Sequence, residues 1–311
     1  MQQFDAVATR AALPFGALIA AIEALFVAGC AVPPRHVHAI GSEQGGEQGK
    51  VLIMPAWQGR YIGIKTVNIF PGNAARGKPA LFSTYLLHDA ATGEPLAQID
   101  GNEITARRTA AASALAARYL APVNAASLLV VGSGRVASLL PQAYRCVRPI
   151  REVTVWSRNH DNALELAAQL CADGFNARAG ADLEAAARGA DIVSCATLST
   201  APLIRGDWLR PGSHLDLIGS FTPQMREADD ACFAGARVFV DTPEALQKSG
   251  DLLGPIARGV WAPGDVASTL EALCRGEVAG RRDGIERTVF KSVGTALEDL
   301  AAAMLVMGGG A

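Results

Sequence analysis

The sequence predicts an α/β fold: a doubly wound parallel sheet accompanied by a second domain of α+β type. Three observations predict it. From residue 127 onward, short apolar runs suited to strands buried on both faces alternate with helical stretches. A glycine turn, Gly132-Ser133-Gly134, stands at the first of these strand-to-helix junctions. Before it, residues 35–100 read as strands separated by turn signals, with no nucleotide fingerprint of their own.

Taken in order, the elements are these. Residues 14–29 form a helix with Leu18, Ile22, Leu25 and Phe26 on its apolar stripe, opened by Pro14 and ended by Gly29. Glu23 interrupts the apolar run Leu13–Ala31 and only Arg10 precedes it, so the segment reads as a packed helix of a cytoplasmic protein rather than a signal peptide or membrane anchor. Val51–Met54, Tyr61–Val67, Leu81–Leu87 and Pro95–Ile99 are β-prone runs, with turns at Gln58-Gly59, Pro71-Gly72-Asn73 and Thr92-Gly93. An alanine-rich helix, Thr105–Leu120, ends before Pro122.

The alternating region follows. It gives strands at Leu128–Val131, Val153–Trp156, Asp191–Cys195, His214–Ile218 and Arg237–Val240. Helices are expected from Arg135 to Val147, over 160–172 and 181–188, and near 243–248 and 265–275. A last, long apolar helix is expected over 286–306, with Ser292 and Gly294 as small residues that admit a close neighbour. The predicted division is one domain from both chain ends, 1–112 with 287–311, and an inserted nucleotide domain, 113–286.

Composition limits the function classes. A chain of 311 residues has room for two ordinary domains, and 50% hydrophobic with 19% charged residues describes a globular protein. A net charge of −2 without a basic block excludes nucleic acid as the main partner. Cys30, Cys146, Cys171, Cys195, Cys232 and Cys274 are far apart with no C-x-x-C, a pattern of reduced thiols rather than of disulfides or zinc. His36 and His38 would share one face of a strand, but no carboxylate or Cys nearby completes a metal set, so no metal is expected. Gly49-Lys50 lacks the rest of a P-loop, and G-x-S-x-G and H-E-x-x-H do not occur.

The glycine turn carries the chemistry. Strand, G-x-G-x-x-A and helix, then a second strand about twenty residues on, form a βαβ unit of the Rossmann dinucleotide-binding kind. Gly132 permits the tight turn, Gly134 lets a pyrophosphate approach the backbone, and Ala137 lets helix lie close on strand. The N–H groups of Arg135 and Val136 at the helix start then face the phosphates. At the end of the second strand, Ser157, Arg158 and Asn159 stand where an NAD site usually carries an acid. A hydroxyl and a guanidinium suit a 2′-phosphate, so NADP(H) is expected over NAD(H), with NAD(H) possible.

Elsewhere, Lys65 interrupts an apolar strand, and either points to solvent or is held for function. Arg107 and Arg108 are adjacent on a helix and diverge by roughly 100°, so at most one faces a given cleft; the alternative is a solvated pair.

Four segments taken together, Met54-Pro55 with Gly63-Ile64-Lys65, Thr105-Ala-Arg-Arg-Thr-Ala-Ala111, Gly132–Ala137 and Val289-Phe-Lys-Ser-Val-Gly294, resemble the ornithine cyclodeaminase/mu-crystallin family in order and spacing. The resemblance implies a homodimer in which the domain from both chain ends binds substrate and makes the dimer. It implies that Arg35 and Lys65 hold a substrate carboxylate; the proton for the imine is expected from Lys65 or a bound water, between which the sequence does not decide. It further implies that Arg108 reaches the cofactor phosphates, that Ser83 or Thr84 adds a hydroxyl contact, that Thr197 touches the cofactor, and that Ser292 lies near the nicotinamide carboxamide. Where ornithine cyclodeaminases carry an aspartate acting on the substrate amine, Phe221 occupies the matching place. The resemblance therefore implies the branch that reduces cyclic imino acids such as Δ1-pyrroline-2-carboxylate or Δ1-piperideine-2-carboxylate. A true ornithine cyclodeaminase, a non-catalytic NADPH and ligand carrier, and an alanine dehydrogenase are the alternatives.

Overall fold

The structure, a computed structural model, describes residues 1–41 and 47–308. The chain forms two compact units, Met1–Arg108 with Thr295–Ala311, and Thr109–Gly294.

The first unit opens with a short strand β1 (Gln2–Phe4) and helices α1 (Ala6–Ala12) and α2 (Phe15–Ala28). Asp5 caps α1, and Gly29 ends α2 at φ 81°, a conformation that favours glycine. Strands β2 (His36–Gly41), β3 (Glu47–Gln58), β4 (Tyr61–Ile69), β5 (Leu81–Asp89) and β6 (Pro95–Asp100) form an antiparallel meander, to which β1 adds a parallel edge. The register sets Met54 opposite Lys65, Lys65 opposite Tyr85, and Tyr85 opposite Ile99. Residues directly opposite share a face, and all four of these are buried. Lys65 on an apolar strand could point to solvent or to the interior; strand alternation with Gly63 and Val67 puts it inside. Helix α3 (Gly101–Leu120) follows and carries the chain into the second unit.

The second unit is an eight-stranded, wholly parallel sheet in the order β13-β12-β14-β11-β10-β7-β8-β9. Its elements are β7 (Ser127–Val131), α4 (Arg135–Arg145), β8 (Glu152–Trp156), α5 (His160–Ala172), β9 (Asn176–Ala179), α6 (Leu183–Gly189), β10 (Ile192–Cys195), β11 (His214–Leu217), β12 (Arg237–Val240), α7 (Ala245–Lys248), α8 (Gly250–Ala257), β13 (Val266–Thr269), α9 (Leu270–Cys274) and β14 (Thr288–Lys291). The core strands are apolar and buried on both faces, as parallel strands under helices must be. The order in which strands are added reverses at β7, which has β8 on one side and β10 on the other. That is the switch point at which open α/β sheets leave a crevice at their carboxyl ends.

The expected single helix over 286–306 is not present. Thr288–Lys291 is the strand β14, buried at every position between β11 and β12. Gly294 turns the chain at φ 79°, and Thr295 caps the helix α10 (Ala296–Val306). α10 packs on α2 and on strands β3 and β4 of the first unit. Likewise the expected helix at 265–275 is divided into β13 and α9. Among the described residues no single helix is long and apolar enough to cross a membrane; α1 and α2 pass together but meet at a 75° bend. All six cysteines are free thiols, and His36 and His38 stack on exposed β2.

Candidate functional site

The crevice of the second unit is built on the glycine turn. Gly132 has φ 121°, and a Cβ there would lie 2.6 Å from the Ala196 carbonyl oxygen. Conformation and crowding both demand glycine. Gly134 differs: its φ is −80°, and a Cβ would meet nothing within 4 Å. The protein itself does not require glycine at 134, so the bare backbone is left for a partner from outside the chain. Gly134 is the N-cap of α4 and provides no side-chain cap, so the first turn, beginning at exposed Arg135 and half-buried Val136, has the N–H arrangement that suits a phosphate. Ala137 is fully buried, as close helix–strand packing needs.

The crevice has a volume of about 240 Å³ and brings together Gly132, Gly134, Ser157, Arg158 and Thr197. Ser157 Oγ lies 3.0 Å from Ser133 Oγ. Arg158 is exposed at the rim and ion-pairs with no carboxylate among the described residues. Asn159 caps α5, its Oδ1 accepting from the Asp161 N–H at 3.0 Å. These features fit a dinucleotide: a backbone turn open to phosphate, a helix start without a side-chain cap, and an unpaired cation where a ribose would end.

Thr197 is held from behind by a residue that no sequence motif marks. Glu227 is fully buried and accepts from Thr197 N at 2.6 Å, Thr197 Oγ1 at 2.8 Å and Gly219 N at 2.6 Å. Burial pushes its carboxyl up to about 7, against the pull of the Lys291 ammonium. Ser292, expected within a helix, instead follows β14; it is buried, and its N–H donates to Leu217 O at 3.1 Å. Phe221 lies exposed in the loop after β11.

The first unit holds a buried charge cluster. Lys65 Nζ lies 2.6 Å from Asp299 Oδ2, with both side chains almost wholly out of water. Arg108 reaches the other oxygen of Asp299 with Nε at 3.0 Å, and Glu298 Oε2 with Nη1 at 2.7 Å. Glu298 and Asp299 stand in the first turn of α10, where the helix dipole favours carboxylates. Burial lowers the Lys65 ammonium to about 8, with Asp299 opposing and Arg108 assisting. Asp299 is held below the usual carboxylate range because Lys65 and Arg108 outweigh its own burial.

Arg107 and Arg108 do diverge, but neither is solvated. Arg107 donates to Leu13 O at 2.8 Å and stacks over Phe15. Arg108, expected to reach phosphates, has its guanidinium engaged by the two carboxylates. Ser83 is buried on the Lys65 side of the sheet, Thr84 on the other, and both line a hollow of about 470 Å³. Arg35 is half-buried, one residue before β2.

Known proteins share this fold. The Δ1-pyrroline-2-carboxylate reductase of Colwellia psychrerythraea is 36% identical over 299 residues, covering 95% of each chain. The solved structure of Thermococcus litoralis Δ1-pyrroline-2-carboxylate reductase, in complex with NADH and L-proline, superposes with a TM-score of 0.92 at 30% identity, over 99% of this chain and 97% of that one. An archaeal alanine dehydrogenase dimer with bound NAD matches with a TM-score of 0.92 at 28% identity, over 99% of this chain and 95% of that one. The model of the ornithine cyclodeaminase/mu-crystallin family matches residues 7–308, and the chain belongs to that family.

Proposed function

We propose that the protein reduces the C=N bond of a cyclic imino acid, Δ1-pyrroline-2-carboxylate or Δ1-piperideine-2-carboxylate, to proline or pipecolate with NADPH. The observation that carries this reading is Lys65: a lysine kept out of water beside Asp299, in a chain alike over its length to proteins named for this reaction. A bound nicotinamide nucleotide supplies the two-electron reduction. The chain's own residues supply position and proton. Gly132, Gly134, Arg135, Val136 and Thr197 hold the nucleotide, and Arg35 with Lys65 holds the carboxylate by charge-assisted hydrogen bonds. Lys65 has three N–H donors and commits one to Asp299, leaving others for substrate. At about 8 its ammonium is protonated at neutral pH yet acidic enough to give a proton to the imine nitrogen. Ser157 and Arg158 favour NADPH over NADH, since nothing acidic at the end of β8 repels a 2′-phosphate.

The working form is a homodimer. Ile40, Trp57 and Phe82 are exposed on the six-stranded sheet, and by strand alternation they lie on the face opposite Lys65. Six free thiols suit a reducing compartment such as the cytoplasm. The test is one set of NADPH-oxidation assays with Δ1-pyrroline-2-carboxylate, Δ1-piperideine-2-carboxylate, and pyruvate plus ammonia, with ornithine and NAD run beside them. Turnover of a cyclic imine supports the proposal. Ammonia release from ornithine without net cofactor change replaces it with cyclodeamination.

A further inference from the structure

We propose that Glu227 is a positioning residue of the nucleotide site: it ties the turn after β10 to the turn after β11 and fixes the crevice wall that carries Thr197. The inference rests on reading that crevice as the nucleotide site.

Glu227 does not line the crevice and is 0% exposed, so it acts only through what it holds. One carboxylate oxygen takes both donors of Thr197, and the other takes the Gly219 N–H. Two of the three donors are backbone N–H groups, which cannot become acceptors. Only a group with two acceptor oxygens serves both turns; a glutamine would turn its NH2 onto one of the N–H groups. The residue's own backbone is anchored in turn, because Asp251 Oδ1 accepts from the N–H groups of Glu227 at 2.8 Å and Ala228 at 3.1 Å.

The wall is coupled directly to the glycine turn. Ala196 N donates to Val131 O at 2.9 Å, and the Ala196 carbonyl closes on Gly132 so tightly that no Cβ fits between them. Movement of the Ala196–Thr197 peptide therefore moves the wall against which Gly132 is packed. Glu227 also sets the polarity of Thr197. The hydroxyl proton goes to Glu227 Oε1, so toward a ligand Thr197 Oγ1 can only accept. That suits a ribose hydroxyl and does not suit a phosphate oxygen.

The experiment measures NADPH binding by quenching of tryptophan fluorescence, together with cofactor KM and kcat, for wild type, E227Q, T197V and the double variant. At about pH 8, where the Glu227 carboxyl is ionised, loss of a charge-assisted hydrogen bond together with a mispaired N–H predicts a rise of about 10-fold in Kd and KM for NADPH in E227Q, with kcat at saturating NADPH changing far less. E227Q in the T197V background should then have less than half its logarithmic effect, which a purely structural acid would not produce. E227D, which keeps the charge but shortens the reach, takes the place of E227Q in the same comparison where E227Q does not fold. Wild-type binding with Kd for NADPH within twofold in the variant overturns the role of Glu227 and leaves the site intact. Failure of wild type to bind NADPH overturns the nucleotide site itself.

Discussion

Lys65 and Asp299 come from opposite ends of the chain and meet 2.6 Å apart, out of water. Neither would be tolerated alone: an unpaired buried charge costs several kcal/mol, and here Arg108 shares Asp299 while Asp299 keeps Lys65 charged. The pair makes an ammonium that is buried yet mildly acidic. Lys65→Met should cut kcat by about 100-fold or more while the Kd for NADPH stays within about twofold. Stopped-flow turnover beside equilibrium NADPH binding checks it, and retained turnover removes Lys65 from the reaction.

The same pair sets a pH dependence. The Lys65 proton is present below about 8 and absent above, so kcat/KM should fall by about tenfold per pH unit on the alkaline side. Asp299 raises the Lys65 pKa, so in Asp299→Asn the falling limb should move to lower pH. Stability takes the opposite sign. The folded pKa lies below the unfolded value of 10.5, so the unfolded chain binds more protons between the two, and stability should rise with pH across that window.

Gly132 and Gly134 should separate folding from binding. Gly132→Ala forces a Cβ onto the Ala196 carbonyl at a backbone angle that side chains avoid, and should cost on the order of 2 kcal/mol or more in thermal or urea unfolding. Gly134→Ala meets no protein atom, so its Tm should stay near wild type while NADPH affinity drops by about 10-fold or more. Equal nucleotide affinity in Gly134→Ala would remove the turn from the site.

Arg158 should decide cofactor choice. With no carboxylate partner among the described residues, its loss disturbs no ion pair. Arg158→Ala should raise KM for NADPH by about 10-fold, the scale of one charge-assisted contact, and leave KM for NADH nearly unchanged. Steady-state kinetics with both nucleotides reads this directly; an unchanged ratio ends the proposed preference.

Two neighbours on β11 should oppose each other in acid stability. Burial lowers His214 to about 3, so its contribution is full above the unfolded value of 6.5 and is lost as pH falls toward about 3, a swing of roughly 5 kcal/mol. Burial raises Asp216 to about 6 despite hydroxyl donors from Ser194 and Tyr144. Its contribution is present below its unfolded value of 3.8 and is lost as pH rises through about 6. The gain in Tm from about pH 5 to about pH 8 should therefore grow in Asp216→Asn and shrink in His214→Gln. Calorimetry at the two pH values gives both signs.

The turn that opens the crevice is legible in the sequence because its chemistry is local: Gly132, Gly134 and Ala137 follow a buried strand and start a helix, and Gly132 and Ala137 show the spatial reasons expected of them. The partner of Lys65 is not legible in the same way, because the stretch around it looks like one long apolar helix. The signals against that reading are present all the same. Thr288-Val289-Phe290 is β-prone, Gly294 breaks any helix, and Thr295 with Glu298 three residues on is a helix-start pattern. Glu227 leaves no signal at all. It belongs to no periodic run, and its importance arises only when the folded sheet brings the turns after β10 and β11 to one carboxylate. Asn159 shows the converse: it sits where a ribose contact is expected but caps a helix.

Reduction of a cyclic imine carbon by a nucleotide held on this chain carries a hydrogen from nicotinamide C4 to the product. The direct measurement mixes the protein with Δ1-pyrroline-2-carboxylate and NADPH carrying deuterium on the transferring face of its nicotinamide C4, then locates the label by mass spectrometry. The expected product is proline with one deuterium at Cα, formed in step with NADPH oxidation. Proline without the label, or no proline while wild-type protein binds NADPH, would contradict it.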